Sequence, residues 1–366
     1  MLTNKHFWRK FATHIDYPLL FMLFMLLLLS LFVQYSASNE SVNHVLMHAG
    51  FGLLALLLMA LVANIPTQYW VTLAVPLYVT GILLLLGVAM AGDVVNGSRR
   101  WLHLVFFRIQ PSEILKLAMP LMLAWFFHTR HATLTLRDYS IAALLLLTPT
   151  LLVAHQPDLG TALLIAASGF YVIVLAGLPW RILAGLSLLA TASLPLLWHV
   201  LHDYQKNRIL TLLDPSRDPL GAGYHIIQSS IALGSGGLLG KGWLHGTQSH
   251  LDFLPEHTTD FVFAVFGEEF GLLGNFLLLS LYLGIILRGL RLSARAPDLF
   301  GRLLSGSIVL SFFTYVFVNM GMVSGILPVV GVPLPLISYG GSAMLIVMLG
   351  FGLIMGLDTH QKLNKS

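Results

Sequence analysis

Runs of about 20 apolar residues, the length that crosses a hydrocarbon layer about 30 Å thick, recur from one end of this chain to the other. Apolar windows sit near 16–36, 45–64, 70–91, 111–128, 138–154, 159–178, 180–201, 259–287, 303–327 and 336–357, which makes ten spans. Of the 366 residues, 57% are hydrophobic and 10% charged, a balance that no water-soluble domain carries without aggregating. The chain therefore reads as an all-α polytopic membrane protein of about ten transmembrane helices, a single integral membrane domain over 1–366. With no cysteine, disulfides, thiolate catalysis and cysteine-ligated metals are excluded. The first apolar run follows Lys5, Arg9 and Lys10 as in a signal peptide. It is longer than a usual signal core, and it is read as an uncleaved first span.

An even number of spans puts both termini on one side. Twelve Lys and Arg fall on that side, among them Arg130, Arg137, Arg181, Arg288, Arg291, Arg295 and Arg302, and the positive-inside rule makes it cytoplasmic. The formal net charge of +4 is thus explained by topology, and no basic block points to nucleic acid. One outer loop breaks the rule: AGDVVNGSRRWLHLVFFRI, 92–110, carries Arg99, Arg100 and Arg108 on the wrong side. Either these cations meet lipid headgroups or they have a specific anion to hold.

Residues 201–258 form one large extracytoplasmic loop of 58 residues, and loops of that size are usually functional or disordered. Its aromatics, the amphipathic stretch YHIIQSSIAL at 224–233 and the glycine-rich GSGGLLGKGWLHG favour a packed cap. The GLLGKG piece lacks the frame, the Ser/Thr after Lys241 and the preceding strand of a phosphate loop, so no nucleotide site is expected.

Charge inside an apolar span is expensive and marks a partner or a function. In IQPSEILKLAMP, Pro111 suits a helix start, and Glu113 and Lys116, three apart, share one face about a turn into the fourth span. They form a structural ion pair, a substrate contact, or both. Asp158, in HQPDLGTALL, stands where a helix N-cap is favoured. Glu268 and Glu269, about three turns into the eighth span, need polar partners or a proton, and Gly267, Gly271 and Gly274 beside them suit close helix packing. Asp260 differs: it lies at the outer mouth of the eighth span, directly after the large loop. Cations and carboxylates thus gather at the outer leaflet, as suits an anionic lipid headgroup.

The segments GSRRWLHL and RIQPSEILK, AHQPDLGTAL, LDPSRDPLGAGYHIIQSSIALGSGGLLGKGWLHGTQSHLDFLPEHTTDFVFAV and GILPVVGVPLPLISYGGSA resemble the SEDS family, from the first span to the last. The resemblance implies a peptidoglycan glycosyltransferase of the bacterial inner membrane that polymerises lipid II at the outer face during cell elongation. It implies that Asp260 is catalytic, and that Arg100, Trp101, Gln110, Glu113, Lys116 and Asp158 fall in the family's motifs. An inverting single displacement needs one base, Asp260, and positive charge for the diphosphate, for which Arg100, Arg108 and Lys116 are candidates. Mg or Mn is compatible with that chemistry, though no motif demands a divalent cation. The family also implies a class B penicillin-binding protein, penicillin-binding protein 2, as partner within the elongation machinery. The alternative is a lipid II flippase, in which buried charge lines a path across the bilayer.

Overall fold

The computed structural model describes residues 14–95, 98–104, 107–130, 134–156, 158–201, 203–219, 221–250 and 253–363. Ten long helices form the bundle: α1 (Tyr17–Ala37), α2 (Val42–Ala63), α3 (Thr67–Ala91), α4 (Pro111–Thr129), α5 (Leu136–His155), α6 (Leu159–Leu175), α7 (Trp180–Val200), α11 (Val262–Arg295), α12 (Leu299–Val323) and α13 (Gly341–Leu363). Seven are long and apolar enough to cross a membrane, and α6 and α7 hold shorter apolar stretches. The remaining helix, α4, carries Glu113 and Lys116. Leucines at 53, 83, 151 and 188 are more than 60% exposed, as expected of faces turned to lipid. The start of α1 and the end of α13 meet on one face, where His14 Nδ1 lies 2.9 Å from Thr359 Oγ1. The large loop is on the opposite face.

Two apolar clusters make up the interior, one around α1, α2, α11, α12 and α13, the other around α3, α4, α5 and α6. Close packing needs small residues where helices touch in lipid. Gly352 and Gly356 of α13 meet that need against α2, because a side chain at either would run into the carbonyl of Met59 or Ala63. By contrast, no described residue of α7 is buried.

The loop 92–110, expected only as a connection, is a small antiparallel meander of β1 (Asp93–Val95), β2 (Ser98–Leu104) and β3 (Phe107–Ile109). Asp93 pairs with Trp101, and His103 with Arg108. The large loop is structured, as its composition predicts: α8 (Asp203–Leu213), a 3-10 turn (Pro215–Arg217), α9 (Ala222–Ser235) and the short α10 (Thr247–His250).

The eighth span departs from expectation. Its helix breaks at Gly271, where φ is 62° and ψ is −160°, a conformation open essentially to glycine alone. Glu268 and Glu269 are therefore not about three turns inside a straight helix. Asp16 and Ser36 mark the two ends of α1; Arg288 pairs with Asp16, and Glu269 accepts from Ser36, so Glu269 stands at the loop face. The segment Val262–Phe270 lies across that end of the bundle, tied to the outer turn of α1 at both its ends, since Gln34 Nε2 also donates to the carbonyl of Thr258.

A broken helix frees backbone groups that lipid cannot satisfy. Here the loop satisfies them: Lys241 N and Gly242 N donate to the carbonyls of Glu268 and Glu269, and Leu272 N and Leu273 N donate to those of Gly237 and Leu238, at 2.9–3.1 Å. Glu268, wholly buried, accepts from Lys241 Nζ at 2.6 Å and from Thr247 N, Thr247 Oγ1 and Gln248 N. The lysine of GLLGKG thus serves a carboxylate and not a nucleotide. Gly271 admits the loop backbone beside the helix, whereas Gly267 makes room for the Leu233 side chain of α9.

Replacing Gly271 by alanine should lower the melting temperature of the detergent-solubilised protein. A Cβ there would press into the backbone of Leu238 and Gly240, in addition to about 1–3 kcal/mol of backbone strain. Gly50→Ala in α2, where nothing lies within 4 Å of the added carbon, should leave the transition within a degree or two, about the effect of a helix-propensity change.

Candidate active site

The sequence-predicted site residues all lie at the loop face. β2 carries Arg100, whose Nε stands 3.7 Å from Asp158 Oδ2. Asp158 is also the N-cap of α6, accepting from Thr161 N at 3.2 Å, so the capping role and the charge pairing coexist. Pro111 opens α4 after Gln110, the N-cap, whose side chain makes no capping bond. One turn on, Lys116 Nζ meets Glu113 Oε1 at 2.5 Å, both side chains nearly buried. Lys116 also stands 5.5 Å from the centre of the Tyr315 ring of α12 and within electrostatic reach of Asp158. Arg100, Asp158, Lys116 and Glu113 therefore form one chain of alternating charge. Trp101 is half-buried beside it. The side chains of Arg99 and Arg108 lie outside the described residues, so Arg108 enters only as a strand position.

Below this cluster is a narrow cavity, mostly apolar and partly open. Glu113, Lys116, Ser168, Ser311 and Tyr315 line it on one side, and Pro333–Ser338 with the first turns of α13 on the other. Two buried acceptors in its wall, Glu113 Oε2 and Ser311 Oγ, have no hydrogen-bond partner among the described residues. Orphaned buried groups are rare and costly, and at a cavity wall they mark where a polar ligand would bond.

Asp260 does not line this cavity. It lies across the irregular segment 324–340, the GVPLPLISYGGS region, which contacts both sides: a Cβ on Gly160 would touch the carbonyl of Val330, and one on Gly331 would sit 3.2 Å from Asp260 Oδ2. The turn before α11 is held by side chains from other helices. Asn319 Nδ2 of α12 donates to the carbonyls of Asp260 and Val332 at 2.8 and 2.7 Å. Ser338 Oγ donates to Thr259 O, while Gln34 Nε2 and Tyr339 N both donate to Thr258 O. Asp260 is half-buried and outside the spanning helices. Burial, then the nearby Glu256 carboxyl, push its carboxyl up to about 7.

Among the described residues no three His, Asp or Glu side chains come together as a metal site.

Sequence reasoning missed Gln34, Glu256, Asn319 and Tyr315. Gln34 and Asn319 were visible as single amides in apolar runs, each of which needs a partner in lipid. Glu256 carried no signal, being one more acid in a polar loop.

A family model described as "Cell cycle protein", for FtsW, RodA and SpoVE, matches residues 11–363. The chain belongs to this family. It is 51% identical over 361 residues to the peptidoglycan glycosyltransferase MrdB of Escherichia coli strain K12, covering 98% of this chain and 97% of that one. Among solved structures it resembles one described under "Structural coordination of polymerization and crosslinking by a peptidoglycan synthase complex", with a TM-score of 0.82, 33% identity and coverage of 96% and 99%. It also resembles the rod shape determining protein RodA of Thermus thermophilus, with a TM-score of 0.70, 31% identity and coverage of 95% and 97%. The resemblance to the SEDS family read from the motifs thus holds over the whole chain.

The Glu113–Lys116 pair yields a test that separates structure from substrate contact. Lys116→Met leaves the Glu113 carboxylate buried and unpaired, which should cost about 3–5 kcal/mol and lower the melting temperature. The Glu113→Leu/Lys116→Met double variant should regain most of that stability yet remain inactive in glycan synthesis. Recovery of activity along with stability would make the pair a structural tie only.

Proposed function

We propose that this FtsW/RodA/SpoVE-family member is a peptidoglycan glycosyltransferase of the bacterial inner membrane. It joins lipid II units into β-1,4 glycan at the outer face during elongation. Both termini are cytoplasmic, consistent with the Lys and Arg distribution. The observation that carries the reading is the meeting, at one face and across one irregular segment, of a half-buried acid and a chain of cations.

Asp260 is the general base. It removes the proton of the acceptor sugar hydroxyl, whose oxygen bonds to the anomeric carbon of the donor as the bond to the diphosphate breaks. Arg100 and Lys116, with Arg108 on β3, stabilise the diphosphate as it leaves with the electron pair. Glu113 and Asp158 hold these cations in place, and Gln110 and Trp101 border the headgroup. Because diphosphate is a good leaving group, cations replace the second carboxylic acid that glycosidases use. Any Mg or Mn would be delivered with the diphosphate. The cavity between α4, α12 and α13 suits the apolar chain or the inner sugar of a bound lipid. The family resemblance further supports penicillin-binding protein 2 as the crosslinking partner.

Asp260→Asn should lower polymer formation about 10²–10⁴-fold in purified protein given lipid II, read on a glycan gel, while lipid II binding stays near wild type. Normal polymer from this variant would remove Asp260 from the chemistry. If no variant or wild-type protein forms polymer but lipid II crosses vesicles, the flippase reading replaces this one. Since the carboxylate is the active form, the wild-type rate should fall as pH drops through about 7.

A further inference from the structure

The hairpin between α1 and α2 bends through two consecutive residues in the left-handed region, Asn39 with a φ of 52° and Glu40 with a φ of 61°. Residues other than glycine seldom adopt that conformation. Strain of this kind persists where surrounding contacts enforce it, and it gathers at functional sites. The turn folds the end of α1 onto the start of α2. Glu40 N donates to Tyr35 O at 2.9 Å, and Ser41 caps α2 by accepting from His44 N at 3.4 Å. This brings His44 Nε2 to 3.1 Å from Gln34 Oε1.

That contact has a direction. Gln34 is wholly buried, and both hydrogens of its amide nitrogen are spent, one on Thr258 O at 2.9 Å and one on Ile337 O at 2.8 Å. Carbonyl oxygens only accept, so the amide cannot be turned round, and the oxygen facing His44 is an acceptor. His44 therefore carries a proton on Nε2 and donates it. Its ring lies against Tyr339, with centroids 4.0 Å apart and planes 31° from parallel. Tyr339 N in turn donates to the same Thr258 carbonyl at 2.8 Å. Three residues from three parts of the chain thus converge on one carbonyl, two positions before Asp260.

We propose that His44 is a positioning residue for glycosyl transfer: through the Gln34 amide it locks together the two irregular segments that set the place of Asp260. The proposal rests on the reading of Asp260 as general base. Thr258 belongs to the turn that carries Asp260, and Ile337 to the segment whose Gly331 faces Asp260 Oδ2. One amide bridges them, and among the described residues His44 is the donor that its oxygen meets. Without that donor Gln34 keeps a buried acceptor unpaired, a costly state that is relieved when the amide swings away from one carbonyl or the other. The two segments then part, and Asp260 moves with its turn. A displaced base still allows the lipid to bind, because Arg100 and Lys116 lie across the segment 324–340. It reacts poorly, because rate depends steeply on the placement of the reacting groups.

The test is steady-state polymerisation by the detergent-solubilised protein given lipid II, with kcat and KM read separately. His44→Phe keeps a ring against Tyr339 and removes the donor, so kcat should fall about tenfold while KM stays within about twofold of wild type. His44→Gln restores a side-chain N–H close to the place of Nε2 and should recover most of the wild-type kcat. Gln34→Leu should lower kcat at least as far as His44→Phe, and the double variant no further than Gln34→Leu alone, since both act through one bond. A wild-type kcat in His44→Phe, equal losses in His44→Phe and His44→Gln, or losses that multiply in the double variant would each overturn the proposal. Should His44→Phe not fold, imidazole nitrogen NMR of isotope-labelled wild type decides: the signal missing from His44→Gln should be that of a ring protonated at Nε2, and a ring protonated at Nδ1 alone overturns the pairing. Polymer made by Asp260→Asn would sink the base reading itself. An inactive Asp260→Asn with an unimpaired His44→Phe would sink this inference alone.

Discussion

Irregular backbone packed inside a bundle survives only where each freed carbonyl finds a donor, and this bundle is organised around one such place. The turn from Thr258 to Asp260 meets the segment from Val330 to Tyr339, and neither is helical. Gln34 of α1, Asn319 of α12 and Ser338 bond the carbonyls of Thr258, Asp260 and Thr259. Gln34 and Asn319 also hold Ile337 and Val332, and Tyr282 of α11 holds Pro335. Three spanning helices thus fix the backbone of the acid. The position of Asp260 is a property of the whole bundle rather than of its own loop.

The same arrangement explains why charge is tolerated so close to lipid. A buried ion pair adds little net stability, because desolvation offsets attraction. Arg100, Asp158, Lys116 and Glu113 still alternate in sign along one wall, which lowers the cost of each. The orphaned Glu113 Oε2 is a remaining cost that a bound ligand would relieve. In physical terms the free site is pre-organised for a polar guest, the condition under which electrostatic stabilisation of a leaving group is effective.

Much of this was legible in the sequence because bilayer thickness sets the length of an apolar run. All ten windows correspond to helices, although the last two shift at their loop-face ends, where Val323 ends one helix and Gly341 begins the next. Glu113 and Lys116 were readable as a pair because three-residue spacing places them on one face. What escaped depends on contacts distant along the chain. The break at Gly271 looked like helix packing, since glycine serves both purposes. Its meaning appears only with Gly237–Gly242 lying against it. The β-meander was hidden by short strands.

The fastening of Glu268 has a consequence for how this architecture can be divided. The carboxylate belongs to the crossing segment, its donors Lys241, Thr247 and Gln248 to the loop, and the backbone on either side of Gly271 is completed by loop atoms. Loop and half-helix therefore form one cooperative unit with a boundary inside the eighth span rather than at its end. A loop transplanted from a relative without residues as far as Leu273 would arrive without the acceptors it is built to fill, and the host would be left with a broken helix that nothing closes.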